Sequence, residues 1–111
     1  MKTSARANLL QGTLDLLILK SLALEPMHGW AIAARIRQLS NDVLLVQQGS
    51  LYPALQRLEH QGWVGAKWGV SEQKRRAKYY ALTRKGRTEL DAQTSAWRKL
   101  ALAVGQVLDV T

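Results

Sequence analysis

The chain has 111 residues, enough for one domain that buries roughly two thirds of its unfolded surface and too few for a second core. Sixteen Lys and Arg against eight Asp and Glu give a net charge of +8 and a pI near 10.3, which points to a polyanionic partner. The absence of cysteine excludes a disulfide framework, a thiolate zinc site and a Cys nucleophile, and fits a reducing, cytoplasmic setting.

From the N-terminus, the first eight residues are charged at the start but lead into no convincing cleavage site, and no apolar run approaches the roughly 20 residues that span a bilayer. No signal peptide and no membrane partner are expected. Thr13, with Asp15 two positions later, reads as a helix start. Leu14, Leu16, Leu17, Ile18, Leu19, Leu22 and Leu24 then cover nearly the whole helical circumference, so this helix belongs in the middle of the domain. Glu25-Pro26 stops it, because the residue before proline is pushed out of the α region, and His28-Gly29 makes a short connection. A second, amphipathic helix over about 29–39 places Ile32, Ile36 and Leu39 on one side. After the turn formers Ser40-Asn41-Asp42, the run Val43-Leu44-Leu45-Val46 is a candidate small strand.

The third helix, about 48–60, has apolar Leu51, Leu55 and Leu58 at i, i+4, i+7. Two starts fit: Ser50 caps it with Pro53 in the first turn, or Gln47 caps it and leaves Pro53 inside. Gly62 suits the left-handed position that ends it. Two runs, 63–69 and 78–82, read as strands joined by Ser71-Glu72-Gln73-Lys74-Arg75-Arg76-Ala77-Lys78, a cationic hairpin. Eight of the sixteen cations fall between positions 67 and 87, where Glu72 is the only acid, and such focused charge marks a binding face. Thr83 caps a last helix running to about residue 108, in which Leu90, Trp97, Ala101, Val104 and Leu108 recur at 7, 4, 3 and 4 positions, with Leu100 and Val107 widening the stripe. Such a helix is about 37 Å long, more than a compact 80-residue body covers, so part of the stripe needs a second subunit.

The fold class expected is therefore mainly α with a small antiparallel β wing (α+β), a winged helix-turn-helix with a long C-terminal dimerisation helix. Residues 1–83 form the reading unit and 84–111 the arm. The order of Leu14 to Leu24, His28-Gly29-Trp30-Ala31-Ile32, Gly49-Ser50-Leu51-Tyr52-Pro53-Ala54-Leu55-Gln56-Arg57-Leu58-Glu59, Gly62-Trp63 and Arg75-Arg76-Ala77-Lys78-Tyr79-Tyr80-Ala81-Leu82-Thr83-Arg84-Lys85-Gly86 resembles the PadR family of winged-helix transcriptional regulators. Trp30, where many members have Tyr, and the short arm are departures. The resemblance implies a homodimer held by the first and last helices, with two copies of the third helix in successive major grooves of double-stranded DNA. A two-fold dimer reading a palindrome with half-sites roughly 34 Å apart is consistent with that geometry.

Opposite the buried leucines, the third helix carries Ser50, Pro53, Ala54, Gln56 and Arg57, with Tyr52 at the border, as groove candidates. Gln pairs bidentately with adenine, Arg with guanine or phosphate, and hydroxyls anchor the backbone; the bland alternative is a solvated face. Gln47 and Gln48 stand where helix N–H groups favour a phosphate, or are plain caps. Lys74, Arg75, Arg76 and Lys78 are expected on phosphates or in the minor groove, giving affinity with little sequence information. One of Tyr79 and Tyr80 packs on the core and the other faces outward, while Trp63 and Trp68 are most simply core and sheet packing. The dimer seam would use Leu14, Leu17, Leu90, Trp97, Leu100, Ala101, Val104 and Leu108. There, paired Trp97 rings either wall a cavity for a small aromatic effector or only fill the interface. His28 and His60 build no metal site, no cofactor is expected, and no catalytic apparatus is visible. The rival reading is a winged-helix module that docks an acidic protein.

Overall fold

A computed structural model describes residues 2–111, with side chains from residue 12 onward; the leader reading of the first eight residues concerns side chains outside that range. The elements in order are α1 (Lys2–Leu24), β1 (Met27–His28), α2 (Gly29–Leu39), α3 (Gln48–His60), β2 (Val64–Val70), β3 (Arg76–Leu82) and α4 (Arg84–Leu108). The three strands form one antiparallel sheet in the order β1-β3-β2. Among the described residues no helix is long and apolar enough to cross a membrane.

Three expectations need correction. Thr13 lies inside α1, which already runs from Lys2, so it does not cap the helix start. Gly12, the nearest breaker, costs only about 1 kcal/mol against alanine and does not interrupt the helix. The run Val43-Leu44-Leu45-Val46 is not a strand; it crosses as a loop with Leu44 and Val46 against the core and Val43 and Leu45 exposed. The third strand is instead β1, which takes the free edge of β3 through Met27 opposite Tyr80 and His28 opposite Tyr79. His28 is thus more than a connection: it ends β1 and caps α2, its Nδ1 accepting the Ala31 N–H at 3.3 Å.

The core forms where the helix stripes converge. Ile18 and Leu19 of α1, Ile32 of α2, Leu51, Leu55 and Leu58 of α3, and Val64 of β2 are the deepest large side chains. Tyr80 closes the sheet side and Leu90 is the last deep anchor from α4. The junction of wing and α4 is tightly specified. Gly62 ends α3 at φ +79°, and the Thr83 hydroxyl donates to its carbonyl at 2.7 Å while accepting the Gly86 N–H at 2.9 Å. A β-carbon at Gly86 would collide with the Trp63 carbonyl, which is the physical reason for glycine three residues after that threonine.

Candidate nucleic-acid interface

Along α3, Leu51, Ala54, Leu55 and Leu58 are buried, and the rest of the circumference is available. Ala54 is therefore removed from the groove candidates: it shares the buried flank with Leu51 and Leu58, at i+3 and i+4 spacing, and has no exposed surface. Gln47 is the N-cap without a side-chain cap bond, so Pro53 stands inside the helix, where it removes the N–H that would bond the Gly49 carbonyl. Gln47, Gln48, Ser50, Tyr52, Pro53, Gln56 and Arg57 are all exposed. His60, read from the sequence as a capping or surface residue, is also exposed; it lies four residues after Gln56 and seven after Pro53, on the same outward stripe. The i, i+3, i+7 spacing of Pro53, Gln56 and His60 was the signal available in the sequence.

Two ion pairs bracket this helix. Arg57, its only Lys or Arg, donates from Nη2 to Asp15 Oδ1 of α1 at 2.9 Å, and Lys78 of β3 donates from Nζ to Glu59 Oε1 at 3.3 Å. Burial pushes the Asp15 carboxyl above its ordinary range, more strongly than the Arg57 charge and hydrogen bond pull it down. On the remaining flank the Tyr52 ring lies so close to Gly29 that a β-carbon there would approach it to 2.8 Å, which ties the first turns of α2 and α3 together. The outward stripe between these ties is polar and nearly uncharged.

The wing supplies the charge. Its turn is closed by Ser71, whose N–H donates to the Arg75 carbonyl at 2.8 Å and whose hydroxyl accepts the Arg75 N–H at 3.2 Å, with Lys74 in the left-handed region at φ +60°. Lys74, Arg75 and Arg76 are exposed, and Lys78, tied to Glu59, is half-exposed. The register places Ala66 opposite Tyr80, Trp68 opposite Lys78 and Val70 opposite Arg76, so these six share the face turned toward α3. Tyr80 is the tyrosine that packs on the core, and burial raises its phenol pKa. Tyr79, on the other face, lies edge-on to His28 at 5.5 Å, and His28 stacks on the exposed Trp30. Trp63 packs partly buried against the core as expected, but Trp68 does not: it is 56 % exposed, with the Arg76 guanidinium 4.5 Å above its ring.

A short helix with its apolar side anchored and its polar side free, followed by a projecting basic hairpin, is the reading head of a winged helix. The family profile described as the transcriptional regulator PadR-like family matches residues 18–92. This chain belongs to the PadR-like family of transcriptional regulators. Solved relatives agree. A transcriptional regulator from Clostridium thermocellum superposes with a TM-score of 0.81 at 25 % identity, covering 89 % of this chain and 96 % of that one. A PadR family transcriptional regulator from Eggerthella lenta gives 0.77 at 31 % identity, covering 98 % and 94 %. For the fold alone, a PadR-like regulator from Bacillus cereus gives 0.80 at 24 % identity, covering 94 % and 99 %. As a PadR-like chain, it is a DNA-binding regulator with a winged-helix α+β fold.

The residues expected at a dimer seam of this PadR-like chain divide in two. Leu14 and Leu90 are each about 95 % buried within the protomer, since α1 and the first turns of α4 build the shared core, and they are corrected to core residues. Leu17 is partly buried there as well. Trp97, Leu100, Ala101, Val104 and Leu108 are exposed, and with Thr13 and the loop residues Val43, Leu44 and Leu45 they line an apolar groove of about 890 Å³.

Proposed function

We propose that this PadR-like regulator is a cytoplasmic homodimer that represses transcription by occupying a palindromic operator, with α3 in the major groove and the wing on the backbone and minor groove. The observation that carries the reading is the division of labour between two adjacent surfaces. The exposed side of α3 presents Ser50, Pro53 and Gln56, flanked by Tyr52 and by Arg57 in its pair with Asp15, which are hydrogen-bonding or shape-reading groups, while the wing presents Lys74, Arg75 and Arg76. Base reading and phosphate neutralisation need these two chemistries side by side. Gln47 and Gln48 sit at the mouth of α3, where a phosphate is stabilised by free N–H groups.

The seam of the dimer is the exposed stripe Trp97, Leu100, Ala101, Val104 and Leu108, joined by the accessible edge of Leu17. The groove that Trp97 lines is apolar and, closed by a second copy, would enclose a flat aromatic effector; aromatic ligands that quench tryptophan fluorescence in wild type but not in Trp97→Ala would support this, and equal quenching in both would exclude it.

The deciding experiment is fluorescence anisotropy with duplex DNA from the gene's own upstream region against a shuffled duplex of equal length, at near-physiological salt. A preference of about 10³ or more is expected of an operator reader. Equal, weak and salt-sensitive binding to both would overturn operator reading and favour a module that docks an acidic protein.

A further inference from the structure

The wing carries more than charge. Trp68 and Val70 are 56 % and 71 % exposed, and both lie on the sheet face that continues from buried Tyr80 toward α3. Single exposed apolar residues are ordinary, but Trp68 is organised: Arg76, its diagonal cross-strand neighbour, lies over the ring with its guanidinium carbon 4.5 Å from the centroid. A guanidinium held over an indole face keeps its charge and its planar fork of donors while losing freedom before any ligand arrives, so less is lost on binding.

The position along the wing indicates what this pair meets. Trp68 lies four residues beyond Val64, the last deeply buried residue of β2, which is about 13 Å of strand. With α3 seated in a major groove about 12 Å wide, a wing of this reach is long enough to meet the phosphate backbone that borders the neighbouring minor groove. Lys78, opposite Trp68 and bonded to Glu59, keeps that face turned to the α3 side. A preplaced planar cation at a minor groove responds to groove width, because narrow A·T-rich grooves concentrate negative potential.

We propose that Trp68 is a positioning residue for minor-groove recognition: it holds Arg76 so that the wing favours narrow, A·T-rich sequence flanking the bases read by α3. This rests on the operator-reading function above and adds sequence information to a wing otherwise expected to supply only affinity.

The test uses the full chain and duplexes that wild type enriches from a random pool. The flank outside the enriched bases is replaced by A·T, G·C or inosine·cytosine runs, the last removing the 2-amino group of guanine from the minor groove. Wild type is expected to prefer A·T over G·C flanks by about three- to tenfold, with inosine·cytosine behaving as A·T. Trp68→Leu should lose most of that ratio while binding G·C-flanked duplex within about twofold of wild type, Trp68→Phe should keep part of it, and Arg76→Ala should abolish it. Were Trp68→Leu not to fold by circular dichroism, Trp68→Phe decides in its place: a ratio below that of wild type supports the proposal, and an unchanged one overturns it. An unchanged ratio in these variants, or no flank preference in a wild type that still enriches a defined sequence, overturns the role of Trp68 and leaves the regulator reading intact. A pool that yields no enriched sequence overturns both.

Discussion

Asp15 and Arg57 show how one pair of side chains links the core to the reading head. The carboxylate on α1 is half-buried and its pKa is raised, burial outweighing the attraction of a guanidinium that is itself 45 % exposed and screened by solvent. A carboxyl whose folded pKa lies above its unfolded value contributes stability below the unfolded pKa, near 3.8, and loses it as pH rises through the folded value. At neutral pH the ionised Asp15 therefore costs stability. Asp15→Asn keeps an oxygen for Arg57 and removes the penalised charge, so thermal unfolding at pH 7 should occur no lower than in wild type, and the difference should shrink as pH falls below about 4. A clear loss of stability at pH 7 would show that the pair outweighs its burial cost. Single residues of this kind are poorly legible in sequence, since 42 positions separate the partners. The burial of Ala54 is hard to read for a related reason: alanine carries no sign of which face it occupies. The exposure of Trp68 is equally illegible, because a tryptophan on a strand ordinarily packs and its contact with Arg76 is diagonal across the hairpin.

α3 and the wing form different kinds of contact surface, and substitutions should separate them. Each phosphate neutralised contributes about 0.9 to the dependence of log affinity on log salt. Lys74→Ala combined with Arg75→Ala should weaken binding to operator and shuffled duplex by similar factors and make the salt dependence shallower by up to about two units. Gln56→Ala should leave the slope unchanged and lower discrimination at one base-pair position, by about 1–3 kcal/mol if the contact is bidentate to adenine. The reverse pattern would exchange their roles. Elements with a strong local pattern were legible: the apolar spacing of α3, the basic hairpin, the Thr83 cap and the long α4 all stand within a few residues of their expected bounds. β1 was not, because two residues carry no period and their partners, Tyr79 and Tyr80, lie 51 and 53 positions away. The loop 43–46 reads as a strand from composition alone, but it pairs with none of the three strands of the sheet.

At the scale of the molecule, the arm is the feature left without a function in one protomer. The radius of gyration is 15.3 Å, against about 13 Å for a compact chain of this length, and the long axis measures 57 Å. Beyond Leu90 no residue of α4 is buried, although Trp97, Leu100, Val104 and Leu108 continue the apolar stripe. A half-exposed stripe of this length is stable in water when a second copy covers it, and a two-fold axis through α4 would also set the spacing between the two α3 helices. Val104→Glu places a charge in that stripe, about 14 residues beyond the last core anchor, so the protomer should keep its helical circular dichroism while its mass by light scattering falls from dimer to monomer. Because each half-site is held at high effective concentration by the other, the monomer should lose about 10²-fold or more on a palindromic duplex and little on a half-site. A wild-type protein that is already monomeric at micromolar concentration would remove the geometric basis for reading a palindrome. An unchanged dimer in Val104→Glu would instead move the seam off α4 and onto α1, the other long helix.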